Sequence, residues 1–198
     1  MRKLTVDDIV DHRAYERERE EFRAEIIAMK KRRRIALGDL ITIVFENTDT
    51  MRFQVQEMAR AERMLTDDAI AGEVATYNEL VPDPGELSCT FFIELTTDEL
   101  LREWLPKLRD VEFHVRFDLG PSDASDVSRV VGIPRDEERL TRDDITSTVH
   151  YLHFPFDAEQ RELLAAGPAR VVIDHPEYRV SVELTDAQRA ELAGDFAD

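Results

Sequence analysis

Cysteine is almost absent: Cys89 is the only one among 198 residues. That excludes an internal disulfide framework, a thiolate zinc site and a self-contained iron–sulfur cluster. Seven glycines and eight prolines are too few for a collagen-like or linker-rich architecture. No apolar run approaches the roughly 20 residues that span a bilayer, so a membrane partner is not expected. Met1-Arg2-Lys3-Leu4 leads into charged sequence without an apolar signal core, and cytoplasmic residence is the expectation. Gly-x-Gly-x-x-Gly, a phosphate loop ending in Gly-Lys-Ser/Thr, a Gly-x-Ser-x-Gly elbow and His-Glu-x-x-His are all missing. Positive charge is scarce as well, with 26 Lys and Arg against 43 Asp and Glu for a net charge of −17.

The charge is unevenly spread. Residues 1–35 carry a net charge of +3 and the remaining residues −20. A body of that sign repels phosphate backbones and anionic lipid, so nucleic acid is an unfavoured partner. The only basic stretch is Lys30-Lys31-Arg32-Arg33-Arg34. Cations at a helix C-terminus face the negative end of the macrodipole, so the run has a structural reading. It also reads as a docking element beside an acidic body.

Apolar residues make up 42% of the chain, enough for one domain with a sizeable core. Tyr15, Phe22, Ile26 and Met29 recur at helical steps and predict a long N-terminal helix over about 14–35. Residues 40–45 read as a buried strand. Residues 51–65 fit both periods, with length and composition favouring a helix. Ile70, Val74, Tyr77 and Val81 mark a further helix capped by Thr66 or Asp67 and stopped by Pro82. Strands are expected over 87–95, 111–119, 127–133, 145–154, 170–173 and 178–184, with helices over 97–108, 157–166 and 186–193. Turn-rich and charged connections are expected over 120–126 and 134–144. Strict alternation makes Phe113 and Val180 candidate core positions.

Adjacent strands often lack a helix between them, which argues against a doubly wound parallel sheet. The expected class is α+β: a mainly antiparallel sheet of about seven strands, sandwich-like or barrel-like, with five or six helices including the long N-terminal one. Residues 1–38 read as a helical segment packed on the body and 39–198 as a single α+β domain.

The most polar stretch in apolar surroundings runs from residue 46 to 63. Glu46, Asn47, Asp49, Gln54, Glu57, Arg60 and Arg63, with Tyr77 from the next helix, are candidate ligand- or partner-binding residues. A strand end feeding a helix start is a place where N–H groups and side chains converge. Glu57 would be the general base, and Arg60 or Arg63 an anion clamp, because the guanidinium fork holds a carboxylate bidentately. The same residues also describe a capped helix with surface ion pairs, Glu57–Arg60 being an i,i+3 pair worth about 0.2–0.5 kcal/mol. His150 and His153 fall on opposite faces of one strand and cannot chelate together without a bulge. No metal and no cofactor is expected. Cys89 sits in an apolar strand as a small core residue.

The segments Lys30–Arg34, Phe45-Glu46-Asn47-x-Asp49-Thr50, Gln56-Glu57-Met58-x-Arg60-Ala61-Glu62-Arg63, Thr76-Tyr77-Asn78-Glu79-Leu80-Val81-Pro82 and Gly85-Glu86-Leu87-Ser88 resemble an uncharacterised bacterial family, a domain of unknown function. Val149-His150-Tyr151-Leu152-x-Phe154 and Asp174-His175-Pro176-x-Tyr178 extend the resemblance over nearly the whole chain. The resemblance implies that genes of that family often lie beside those for rubrerythrin-like proteins and cysteine-rich iron–sulfur oxidoreductases. The resemblance therefore implies an accessory or interaction protein for a redox or oxidative-stress system, carrying no cofactor of its own. The alternative from the residues is a small-molecule enzyme or binding protein using the 46–63 cluster. A homodimer is the expected assembly, because the apolar stripe of a long helix needs a surface to cover it, which is either its own sheet or a second copy.

Overall fold

A computed structural model describes residues 1–121, 127–135 and 145–197. The connections expected over 120–126 and 134–144 lie largely outside the described residues. Helix α1 (His12–Arg33) starts at Asp11, whose carboxylate accepts from the backbone N–H groups of Arg13 and Ala14. It is followed by β1 (Arg34–Leu37), β2 (Ile41–Glu46), α2 (Thr48–Ala61), α3 (Asp67–Asn78), β3 (Glu86–Ile93), α4 (Asp98–Lys107), β4 (Val115–Leu119), β5 (Ser128–Val131), β6 (Ile133–Arg135), β7 (Val149–Pro155), α5 (Ala158–Ala166), β8 (Ala169–His175), β9 (Tyr178–Glu183) and α6 (Asp186–Gly194). The α+β class is as expected: among the described residues there are six α-helices and two antiparallel sheets, without a closed barrel.

One sheet runs β1-β2-β3-β7-β6 and the other β5-β4-β8-β9. Their apolar faces enclose the main core. Phe45, Phe91, Leu152 and Phe154 come from the first sheet, Phe117, Val171 and Ile173 from the second, and α5 and α6 add Leu164 and Leu192. Among the described residues nine strands replace the expected seven or so, for two local reasons. Residues 34–37, read from sequence as part of the helical segment, pair with β2 in the register Arg34↔Val44 to Leu37↔Ile41. The run 127–133 breaks at Gly132 into β5 and β6, which belong to different sheets. A Cβ at Gly132 would lie 2.8 Å from the Phe154 ring, so the chain turns this corner with no side chain. Gly38 makes the β1–β2 turn at φ 73°, a left-handed conformation that only glycine adopts without strain.

The alternation over 111–119 holds only from Val115 onward. Val111–His114 form a 3-10 turn, which rotates Phe113 out to 46% exposure. Val180 lies on edge strand β9 and is half-buried. A second, smaller core joins Leu4 and Ile9 of the N-terminal entry to Met51 and Val55 of α2, Val74 of α3, and Val81. The Asn78 amide clamps this entry, accepting from Leu4 N–H at 2.8 Å and donating to Leu4 C=O at 2.9 Å. Helix α2 packs against both α1 and α3, and α1 also lies against β2.

Candidate functional site

The sequence cluster 46–63 is divided among several places. Glu46 ends β2 and is 4% exposed. Its Oε1 accepts from the Thr90 hydroxyl at 2.9 Å, and its Oε2 lies 3.7 Å from Lys30 Nζ. Asn47 is the N-cap of α2, accepting from Thr50 N–H at 2.9 Å, while Asp49 lies 3.7 Å from Arg52 in the first turn. Gln54 is half-buried on α2. Arg63 follows the helix end at φ 55° and is exposed, and Tyr77 packs against the smaller core from α3. Only Glu57 and Arg60 share a face, and they turn toward α1 instead of pairing with each other.

That face is a polar seam. Glu57 Oε1 accepts from Tyr15 Oη at 2.6 Å and from Arg19 Nε at 2.7 Å, and Oε2 accepts from Arg19 Nη2 at 2.8 Å. Arg60 Nε donates to Glu16. The Gln56 side chain holds Val10 at both its N–H and its C=O. The Arg19 fork keeps the Glu57 carboxyl below its ordinary value, helped by the Tyr15 hydroxyl and opposed by partial burial. The Tyr15 phenol is pushed up by burial and by the same carboxylate. With both oxygens occupied and the charged form favoured, Glu57 is fitted to tie α1 to α2 and poorly fitted to accept a proton from a substrate.

A linkage prediction follows. Because the folded value is depressed, the Glu57 contribution is full above pH ~4.5 and disappears as pH falls through the folded value. Glu57→Gln should lower stability by ~1 kcal/mol at pH 7, and the difference from wild type should be smaller at pH ~3. Urea unfolding at the two pH values checks this, and an equal deficit at both would contradict the seam.

Beside the seam, α1, α2 and the N-terminal entry enclose a groove of about 420 Å³. Val10, Tyr15 and Phe22 supply apolar surface, and Asp8, Glu18, Glu21 and Glu25 supply acid. Phe22 meets Phe53 edge-to-face at 5.6 Å, and the Arg52 guanidinium stacks over Phe22 at 4.6 Å. Asp8 is paired with Arg2 at 2.6 Å, whereas Glu18, Glu21 and Glu25 are exposed. Sequence reasoning singled out none of these three glutamates. Their signal was available: 18, 21 and 25 stand at i, i+3 and i+7 on one helical face, with Phe22 among them.

The basic run is used mostly inside the molecule. Arg33 is 1% exposed. Its Nε donates to Phe45 C=O at 2.9 Å, and its two terminal nitrogens reach Glu46 C=O, Glu191 and both oxygens of Asp195. Arg32 pairs with Glu191 at 2.6 Å and Arg34 with Glu94 at 3.3 Å, leaving Lys31 exposed. Arg33 is thus out of reach of any outside partner, because the guanidinium is consumed by the junction of α1, β2 and α6.

His150 and His153 do point to opposite faces of β7. His150 is buried with Nε2 2.9 Å from Thr146 Oγ1 and 3.0 Å from Ser147 C=O, and burial lowers its pKa. His153 Nδ1 meets Glu86 at 3.2 Å in an ion-pair chain with Arg135, Asp83 and Lys3. Cys89 is fully buried and its thiol is pushed up, which keeps it inert.

Among known proteins, a family model described as protein of unknown function (DUF3501) matches residues 3–196. No curated protein matches the chain. The crystal structure of a protein of unknown function from Burkholderia pseudomallei K96243 is similar at 33% identity and a TM-score of 0.87, over 98% of this chain and 99% of that one.

Proposed function

We propose an accessory, partner-binding role for this chain, which belongs to the DUF3501 family, proteins of unknown function. The observation that carries the proposal is the α1–α2 groove, where exposed carboxylates and aromatic side chains line a concave surface beside a Glu57 already committed to Tyr15 and Arg19. Such a lining suits recognition of another molecule's surface better than bond-making, which needs an available base or nucleophile held against the substrate. The resemblance to a family encoded beside rubrerythrin-like and iron–sulfur proteins supports a redox protein as that partner.

The second reading is a small-molecule site, and the size of the groove favours it, since ligand pockets span about 300–1,000 Å³. Affinity capture with the tagged chain from its native host separates the two. Enrichment of a di-iron or iron–sulfur protein over a tagged acidic control is the expected result. Capture without any redox protein, together with a low-molecular-weight compound retained after desalting, would replace the accessory role with the small-molecule one.

A further inference from the structure

We infer that the α1–α2 groove receives a cationic amphipathic helix of the partner, a statement that rests on the accessory role above and names the partner's chemistry. The shape comes first. Helix α1 has 22 residues and runs about 33 Å at 1.5 Å per residue. It forms one wall, with α2 as the other, and two neighbouring helices present the kind of trough into which a third helix lays its apolar face. The apolar contact surface is already in place: Val10 is 41% exposed, and Phe22 is half-buried and fixed between Phe53 and Arg52.

Charge then selects the occupant. Glu18, Glu21 and Glu25 stand exposed along the α1 rim. The one cation in the lining, Arg52, is stacked on Phe22 and lies 3.7 Å from Asp49. Residues beyond 35 add a net charge of −20, which steers a basic partner inward and turns away acidic helices, nucleic acid and anionic lipid. A second copy of this chain fits poorly. Its own α1 carries the same acidic face, and its basic run, Lys31 apart, is already paired with Glu46, Glu94, Glu191 and Asp195. The complementary segment has apolar residues at i, i+3 or i+4 and i+7, flanked by Lys and Arg.

A photo-reactive phenylalanine analogue placed at position 21 in the full chain, activated in the native host, tests this. The cross-linked peptide is sequenced, and partner capture is measured in parallel for wild type and for Glu18→Lys/Glu25→Lys. Both substitutions are on exposed helix surface, and thermal unfolding verifies that the double variant folds. The expected result is a Lys/Arg-rich helical segment of another protein, with capture reduced roughly tenfold by the double variant and by raised salt. A cross-linked segment that is acidic, extended or from a second copy would overturn the inference. So would capture indifferent to the charge reversal, and in that case the accessory role survives with its surface elsewhere. Absence of any captured redox partner overturns the accessory role itself.

Discussion

Arg33→Met destabilises the protein by about 3–5 kcal/mol, the usual consequence of removing one member of a buried, hydrogen-bonded ion pair. The guanidinium has five N–H groups, and all five have acceptors: Phe45 C=O, Glu46 C=O, Glu191 and the two oxygens of Asp195. Methionine fills much of the same volume, yet it strands a buried carboxylate and two backbone carbonyls. Already in the wild type, burial raises the Asp195 carboxyl above its ordinary value while Arg33 pulls against it. Without Arg33 the main opposition to burial is gone, and Glu191 adds to the upward influence. A raised folded value means that the native state holds the proton more tightly than the unfolded chain, so stability falls as pH rises from about 4 toward the folded value. The deficit of Arg33→Met should accordingly be smaller in acid than at pH 7. Adding Asp195→Leu removes the stranded charge and should recover about half of the loss, the Phe45 and Glu46 carbonyls accounting for the rest. Urea midpoints for the single and double variants measure this. A deficit below ~1 kcal/mol in the single variant would mean that the fork is worth no more than a surface ion pair.

Phe117→Ala is the second large effect, at about 3–5 kcal/mol. Its ring meets Phe45 at 5.6 Å, Phe154 at 5.0 Å and Phe156 at 5.2 Å, bridging the two sheets. Deleting it removes the transfer energy of a fully buried aromatic side chain and opens a cavity among side chains that β-sheet backbones hold apart. Phe113→Ala, four residues earlier in the same run, should change stability by no more than ~1 kcal/mol, because that ring is nearly half exposed. Thermal or urea unfolding of the two variants side by side gives the contrast. Comparable losses would show that residues 111–114 pack as a strand and would remove the 3-10 turn.

The difference between these two phenylalanines marks where sequence patterning ended. Alternation in 111–119 is continuous and carries no sign that the first four residues wind into a turn. That turn places Val111 in the core and leaves Glu112 buried beside His150, a pairing between segments nearly 40 residues apart. Gly132 is similar. A single glycine in a strand pattern indicates a bulge or a close approach, but only the proximity of Phe154 shows that the chain changes sheets there. Helix periods were more readable, since they are local: α2, α3, α4, α5 and α6 lie within a few residues of expectation, and the caps Asn47, Thr66 and Thr97 are side chains whose chemistry suits that position.

The sequence by itself determined the α+β class, the helices and most strands, because each depends on a period of two or 3.6 within a short window. It also determined that the chain beyond residue 35 is acidic and that Cys89 stands alone. Tertiary structure decided what the charged residues do. Glu57 and Arg60 fit a helical pair by spacing, yet each joins a residue of α1 more than 35 positions away, Arg19 and Glu16. Arg33 is indistinguishable in sequence from its four basic neighbours, yet it alone is buried. The reason is physical: a charge finds its partner through space, and when side chains of both signs are this abundant, spacing along the chain cannot say which ones the packing of helix on sheet will bring together.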